Sequence, residues 1–225
     1  MAHGFFITGT DTGVGKTVIA CALLRAFAAT GRSVVGMKPV AAGQEGGRWA
    51  DVEALARAST VRAPAELANP YAFQPAIAPH IAAELARVEI DLDVIARACG
   101  ELARLADVVV VEGVGGFMVP LNGRRTGADL AKLLGLPVLL VIGIRLGCLN
   151  HALLTRHFIR NCGLRCAGWV ANCNLPEMPC RNQNIHALEQ RLDSPLLGVV
   201  PFRQDPSPAT VAPFLSLAPL MEAAT

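Results

Sequence analysis

The chain has 225 residues, enough for one sizeable hydrophobic core and short for two ordinary domains. With 52% hydrophobic and 17% charged residues it reads as compact, soluble and well buried, with no long disordered section. Its 20 basic and 18 acidic residues give no electrostatic case for nucleic acid or an anionic membrane as a partner.

The first residues, "MAHGFFITG", lack the basic stretch and long apolar run of a secretory signal. The longest apolar run, "LLGLPVLLVIGI" (133–144), is too short to span a bilayer and contains Pro137, so a cytoplasmic location is expected. Seven cysteines are scattered through the chain. The spacing of Cys162, Cys166, Cys173 and Cys180 matches no structural zinc pattern, and buried thiols in a reducing compartment are the simpler expectation. Only three of the 20 basic residues are lysines, Lys16, Lys38 and Lys132, in a chain that otherwise uses arginine. Lysine is a compact point charge on a flexible stem, and two of the three follow the first two predicted strands.

In chain order, "GFFIT" (4–8) reads as a buried strand and "TVIACALLRAFAATG" (17–31) as a helix closed by Gly31. "SVVGMK" (33–38) is a second strand and "WADVEALARAS" (49–59) an amphipathic helix. The proline-rich stretch 62–80 reads as a loop with short helical turns. "IDLDVIARACGELARLA" (90–106) is a helix, with Asp91 and Asp93 where its dipole favours acids. Strand "DVVVVEG" (107–113), helix 126–135, strand 137–143 and helix 150–163 follow. Strand 166–172, helix 182–192 and strand 195–201 complete the series. This alternation predicts one α/β domain over 1–225, a mostly parallel sheet flanked by helices. Ligands in such sheets bind beyond the carboxyl ends of the strands, so the residues after each strand are the candidates.

After the first strand stands "GTDTGVGKT" (9–17). It ends as a phosphate-binding loop does, in Gly15, Lys16 and Thr17, but the usual spacing asks for glycine at position 10, which is Thr10. Backbone N–H groups in such a turn, running into a helix, form an anion site. Lys16 would reach terminal phosphates and the Thr17 hydroxyl would ligate magnesium. After the second strand, Pro39 forces a turn and leaves Lys38 at the mouth. Glu112 ends the strand 107–113 where a phosphate-loop enzyme places its magnesium-side carboxylate, and "GVGG" behind it lets backbone approach a ligand. Asp51 fits equally a dipole-stabilising acid and a second carboxylate on magnesium. Asn172 fits a turn residue, or an amide paired with adenine at N6 and N7; Phe202, after Pro201, would cover the base.

Together "GTDTGVGKT", "KPVAAG" (38–43), "NPYAF" (69–73), "APHIAA" (78–83), "VEGVGG" (111–116), "LGCLNHALLT" (146–155) and "GWVAN" (168–172) resemble the dethiobiotin synthetase family over nearly the whole chain. The resemblance implies a P-loop fold and an ATP- and Mg2+-dependent ligase of biotin biosynthesis. In it an amine of 7,8-diaminononanoate takes up CO2 as a carbamate, ATP phosphorylates the carbamate, and the second amine closes the ureido ring. By the same resemblance Lys16 and Lys38 are catalytic, flanking carbamate and γ-phosphate, and Thr17, Asp51 and Glu112 hold the metal. Gly13, Val14, Gly15, Lys16, Thr17 and Val18 line ATP together with Asp51, Glu112, Gly113, Val114 and Gly115. Asn172, Cys173, Pro201, Phe202 and Arg203 hold adenine. Thr12, Ala42, Gly147 and Asn150 face the substrate, whose carboxylate meets the helix beginning near Asn150 from the neighbouring subunit of a homodimer.

Two positions depart from the family pattern. Ala42 stands where a Ser or Thr hydroxyl is usual, and Arg145 stands where Lys usually precedes L-G-C. A switch ATPase of the chromosome-partitioning type would carry a signature lysine at position 11, which is Asp11. An amidoligase acting on cobyrinate would need a glutamine-hydrolysing domain. A non-enzymatic nucleotide-binding module leaves Lys38 and "LGCLNH" without a purpose.

Overall fold

A computed structural model describes residues 3–222. Six strands, β1 (His3–Gly9), β2 (Val34–Met37), β5 (Val108–Glu112), β6 (Val138–Gly143), β7 (Cys166–Asn172) and β8 (Leu196–Val200), form one sheet. Their spatial order is β2-β5-β1-β6-β7-β8 and every pairing is parallel. A second, two-stranded parallel sheet joins β3 (Val40–Ala42) to β4 (Tyr71–Phe73). The helices are α1 (Lys16–Ala28), α2 (Ala50–Ala58), α3 (Ala65–Ala68), α4 (Pro79–Leu85), α5 (Leu92–Leu105), α6 (Gly127–Leu134), α7 (Cys148–Asn161), α8 (Arg181–Glu189), α9 (Pro208–Val211) and α10 (Ala218–Glu222).

The strands are apolar on both faces because each face packs on helices. Successive side chains point to opposite sides, so the alternation divides the core in two. Phe5, Ile7, Val34, Val108, Val110, Leu139 and Val141 join one cluster with α1, through Ile19, Leu23, Leu24 and Phe27. Phe6, Val35, Val109, Val111, Leu140 and Ile142 join the other with α5, α6 and α7. Phe5 stacks on Phe27 with ring centroids 5.6 Å apart. Each large apolar side chain fully buried here contributes roughly 1.5–3 kcal/mol.

Capping follows the sequence signals. Asp91 caps α5, accepting from the Asp93 N–H at 2.8 Å. Thr126 and Asp129 form a capping box at the start of α6, and Gly135 ends it.

In the proline-rich stretch the expected short helical turn is α3, but the expectation of only loop besides is corrected at Tyr71–Phe73, a strand that runs beside β3. Pro39 interrupts the path from β2 and the chain resumes as a strand in this second sheet, so the turn at Lys38 is a change of sheet. Helix α7 starts at Cys148, ahead of the expected position 150. Of the seven thiols, Cys180 is exposed and Cys162 half-buried, against the expectation that all are buried. Among the described residues, no helix is long and apolar enough to cross a membrane.

Candidate functional site

The carboxyl ends of β1, β2 and β5 bring the phosphate loop, Lys38 and Glu112 together. The loop leaves β1 on the β6 side, with the Thr10 N–H bonded to the Val141 carbonyl at 3.1 Å. It enters α1 at Gly15, which has φ +93°. A Cβ there would lie 2.2 Å from Asn172 Nδ2, so both backbone conformation and packing require glycine. No side chain caps α1 and its first turn carries no acid, which leaves its N–H groups and dipole for an anion.

Glu112 is the hub. It is 1% exposed. Its Oε1 accepts from the Thr17 hydroxyl and from the Lys38 ammonium, both at 2.8 Å. Lys38 also reaches Asp51 Oδ2 at 2.8 Å, so one ammonium bridges two carboxylates. Burial works against the charge of Lys38, but Glu112 and Asp51 outweigh it and hold the group above the ordinary lysine range. Asp51 sits in the first turn of α2 and its other oxygen accepts from the Val52 N–H at 3.0 Å.

Lys16 is buried too, but its ammonium donates to a neutral group, the Asp11 carbonyl, at 2.8 Å. Desolvation, with the Lys38 charge added, pulls it down to about 8. The Asp11 carboxylate accepts from the Thr12 N–H at 2.8 Å and pairs with Arg145 Nη2 at 2.6 Å. Arg145 lies between β6 and α7, so the pair ties the phosphate loop to the start of α7.

Oxygen ligands suit a hard cation, and magnesium keeps one or two carboxylates plus phosphate oxygens. Thr17, Asp51 and Glu112 supply such a set, and Glu112 Oε2 is buried without a hydrogen-bond partner. The residues therefore fit the ion, with the Lys38 ammonium standing between its two carboxylates.

The remaining expected residues fall around this hub. Thr12 and Gly13 are exposed at the loop tip, Val14 is buried beneath it and Val18 follows on α1. Gly113, Val114 and Gly115 leave β5; a Cβ at Gly113 would sit 3.2 Å from the Ile7 carbonyl. Ala42 ends β3 opposite Phe73. Gly147 precedes α7 at φ +94° and Asn150 is exposed in its first turn. Asn172 is buried, and one of its amide N–H groups donates to the Val14 carbonyl at 2.8 Å. Its carbonyl oxygen and second hydrogen lie outside that bond. The Cys173 side chain is buried. Pro201 and the exposed Phe202 follow β8, and the Arg203 guanidinium stands over the Phe214 ring at 5.3 Å.

Two supporting residues escaped sequence reasoning. Asn69 donates to the Lys38 carbonyl at 2.6 Å and to the Tyr71 carbonyl at 3.0 Å, fixing the backbone where β2 gives way to β3. Asn174 donates to the Gly13 carbonyl at 3.2 Å. For Asn69 the signal was the "NPYAF" segment itself; Asn174 carried none.

A Gly-rich turn entering a helix, a buried Lys, a Thr and an acid ending a neighbouring parallel strand define a phosphate-loop nucleotide-binding protein of the doubly wound class. Solved structures agree on the fold: the cell-division ATPase MinD of Pyrococcus furiosus is 20% identical, with a TM-score of 0.60 and full coverage of both chains. The MinC:MinD complex of Aquifex aeolicus has a TM-score of 0.61 at 12% identity, covering 100% of this chain and 96% of that one. A family model described as an AAA domain matches residues 3–210. The ATP-dependent dethiobiotin synthetase BioD of Nitrosospira multiformis is 57% identical over 218 residues, 97% of this chain and 96% of that protein. The enzyme of the same name from Aromatoleum aromaticum is 52% identical, covering 96% and 97%. The chain belongs to the dethiobiotin synthetase family.

Proposed function

We propose that the chain closes the ureido ring of dethiobiotin from 7,8-diaminononanoate, CO2 or bicarbonate, and ATP. The observation that carries this reading is Lys38. A plain nucleotide hydrolase needs the loop lysine, whereas here a second buried ammonium stands beside it, 2.8 Å from each of two carboxylates.

Lys16 and Lys38 place positive charge on both sides of the space where a carbamate oxygen meets the γ-phosphate, which lowers the cost of bringing two anions together. Thr17, Asp51 and Glu112 would hold magnesium, which when bound neutralises charge on the phosphoryl oxygens. The Cys21 thiol, on the same helix as Lys16, is pushed up to about 12, mainly by burial. It keeps its proton at neutral pH, and the reading assigns catalysis to positioning and charge at Lys16 and Lys38. The uncapped start of α7 suits the substrate carboxylate. Leu146, 90% exposed beside it, and exposed Leu154 support a homodimer in which that carboxylate arrives from the neighbouring subunit's site.

The test is ATP turnover with and without the diamine and bicarbonate, with the ureido product followed by mass spectrometry. Diamine-dependent release of ADP is expected; turnover indifferent to the diamine would overturn the reading. Light scattering on the purified protein is expected to give the mass of a dimer.

A further inference from the structure

The six-stranded sheet ends at β2, and the chain covers that edge with a turn instead of another strand. Ser59 Oγ accepts from the Gly36 N–H at 2.9 Å and Thr60 Oγ1 from the Val34 N–H at 2.8 Å. The Val34 carbonyl takes the N–H groups of Thr60 and Val61 at 3.0 and 3.2 Å. Bonds spent in this way keep the edge from pairing with a strand of another chain. Helix α2 packs on one face of the sheet through Leu55, and α3 on the other through Leu67. Between the two helices, along the β2 edge, lies a cleft of about 720 Å³.

Its lining is apolar over most of its length: Val35 and Gly36 of the strand, Val52 and Ala56 of α2, Val61 and Ala63 of the turn. The polar groups along its walls are already bonded. The Trp49 indole N–H donates to the Phe73 carbonyl at 3.1 Å, and the Asn69 amide serves the Lys38 and Tyr71 carbonyls. Charge gathers at the mouth, where Arg57 and Arg62 stand against one acid, Glu66. Arg57 is paired with Glu53 at 3.1 Å. Among the described residues, the exposed Arg62 guanidinium has neither an ion pair nor a hydrogen bond. A second hollow, of about 450 Å³, shares Arg57, Ser59 and Thr60 with the cleft and adds Arg25, so the surplus at this rim is cationic.

A volume of this size is that of a small-molecule site, which is mostly apolar with a few polar groups that fix orientation. Here hydrocarbon can be buried along the strand edge, and the group left to fix orientation is a cation. We propose that the cleft binds a medium-chain aliphatic carboxylate, its chain along Val35, Val52 and Val61 and its carboxylate on Arg62. The site is separate from the phosphate loop and from Glu112, which do not line it, and it rests on neither nucleotide binding nor ring closure. Its walls are nonetheless those that frame the charge cluster: Asp51 lies two residues beyond Trp49, and Asn69 holds the Lys38 carbonyl.

The experiment titrates decanoate, octanoate and octanol into the whole chain by calorimetry, and follows an ω-bromo analogue of decanoate by tryptophan fluorescence. Trp49 is half-buried in the cleft wall and Trp169 is fully buried elsewhere, so bromine is expected to quench the unsubstituted chain and not Trp49→Phe. Affinity is expected to fall about fourfold for each methylene removed from the chain. Arg62→Gln is expected to weaken octanoate by up to roughly fivefold, the range of an exposed ion pair, and to leave octanol unchanged. Ala56→Leu narrows the cleft from an exposed position and is expected to weaken all of the ligands without changing the molecular mass in light scattering. Absence of decanoate binding would overturn the proposal. So would binding indifferent to both Arg62→Gln and Ala56→Leu, which puts the carboxylate elsewhere, the diamine's own site included. A change of mass in Ala56→Leu would assign the cleft to a second copy of the chain and overturn it equally.

Discussion

Two lysines stand at the same rim of the same sheet, both buried, and their surroundings drive them in opposite directions. Lys16, at the start of α1, donates to a backbone carbonyl and is pulled down to about 8. Lys38, at the end of β2, sits between Asp51 and Glu112 and is held above the ordinary range. Desolvation acts on both, so the partner decides the charge. The phosphate-loop side is therefore a cradle with no carboxylate paired to its lysine, which above about pH 8 needs an anionic ligand to keep its proton. The Lys38 side is a preformed charge cluster that keeps its proton without one.

The sharpest way to break the contrast is Lys38→Ala. Turnover is expected to fall by about 10²-fold or more, the scale for losing one preorganised charge-stabilising donor. Stability should fall as well, by about 3 kcal/mol, because buried Glu112 is left without its cation. The double variant Lys38→Met/Glu112→Gln is expected to recover stability in urea melts without recovering turnover. If the single variant keeps both properties, the cluster is not what holds the site.

The next effect lies on the Lys16 side and depends on pH. Above about 8 the unliganded Lys16 loses its proton. ATP affinity measured in calorimetry should then weaken toward about tenfold per pH unit, and Lys16→Met should abolish this dependence. The sign for folding is the reverse. Between about 8 and 10.5 the unfolded chain holds the proton that the folded chain has released. Stability should therefore rise with pH across that window in the unsubstituted chain relative to Lys16→Met.

Smaller effects refine each side. Near Lys38, Ala42→Ser restores the family's hydroxyl at the end of β3 and should lower the KM for the diamine by an amount worth about 0.5–1.5 kcal/mol, with kcat nearly unchanged. Near Lys16, the Arg145–Asp11 pair is half exposed, so Arg145→Met should raise the KM for ATP by an amount worth about 0.2–1 kcal/mol. That difference should fade in high salt, and a salt-independent effect would mean Arg145 acts through packing.

Much of this arrangement is legible along the chain. Strands apolar on both faces, helices closed by Gly135 and Gly163, and a charged or polar residue at nearly every strand end carry their own signal, because period and turn chemistry are local. The loss at 62–80 is equally physical. Prolines there mark breaks, and a strand of the length of Tyr71–Phe73 is stable only because β3 lies beside it. Nothing within the segment announces that neighbour. Asn69, Asn174 and Arg145 belong to the same class, polar residues whose partners lie on other elements.

The sequence by itself determined the βα order, the phosphate loop and the residue types at the strand ends, since backbone geometry and hydrophobic period act over a few residues. Tertiary structure alone decided that Lys38 bridges Asp51 and Glu112, that Glu112 also takes the Thr17 hydroxyl, and that β7 reaches over β6 to the loop. Glu112 is 95 positions from Thr17, and Asn172 is 158 from Val14. Charge states and loop shape at such separations follow from which strands are neighbours, and that order is settled only when both faces of the sheet are packed.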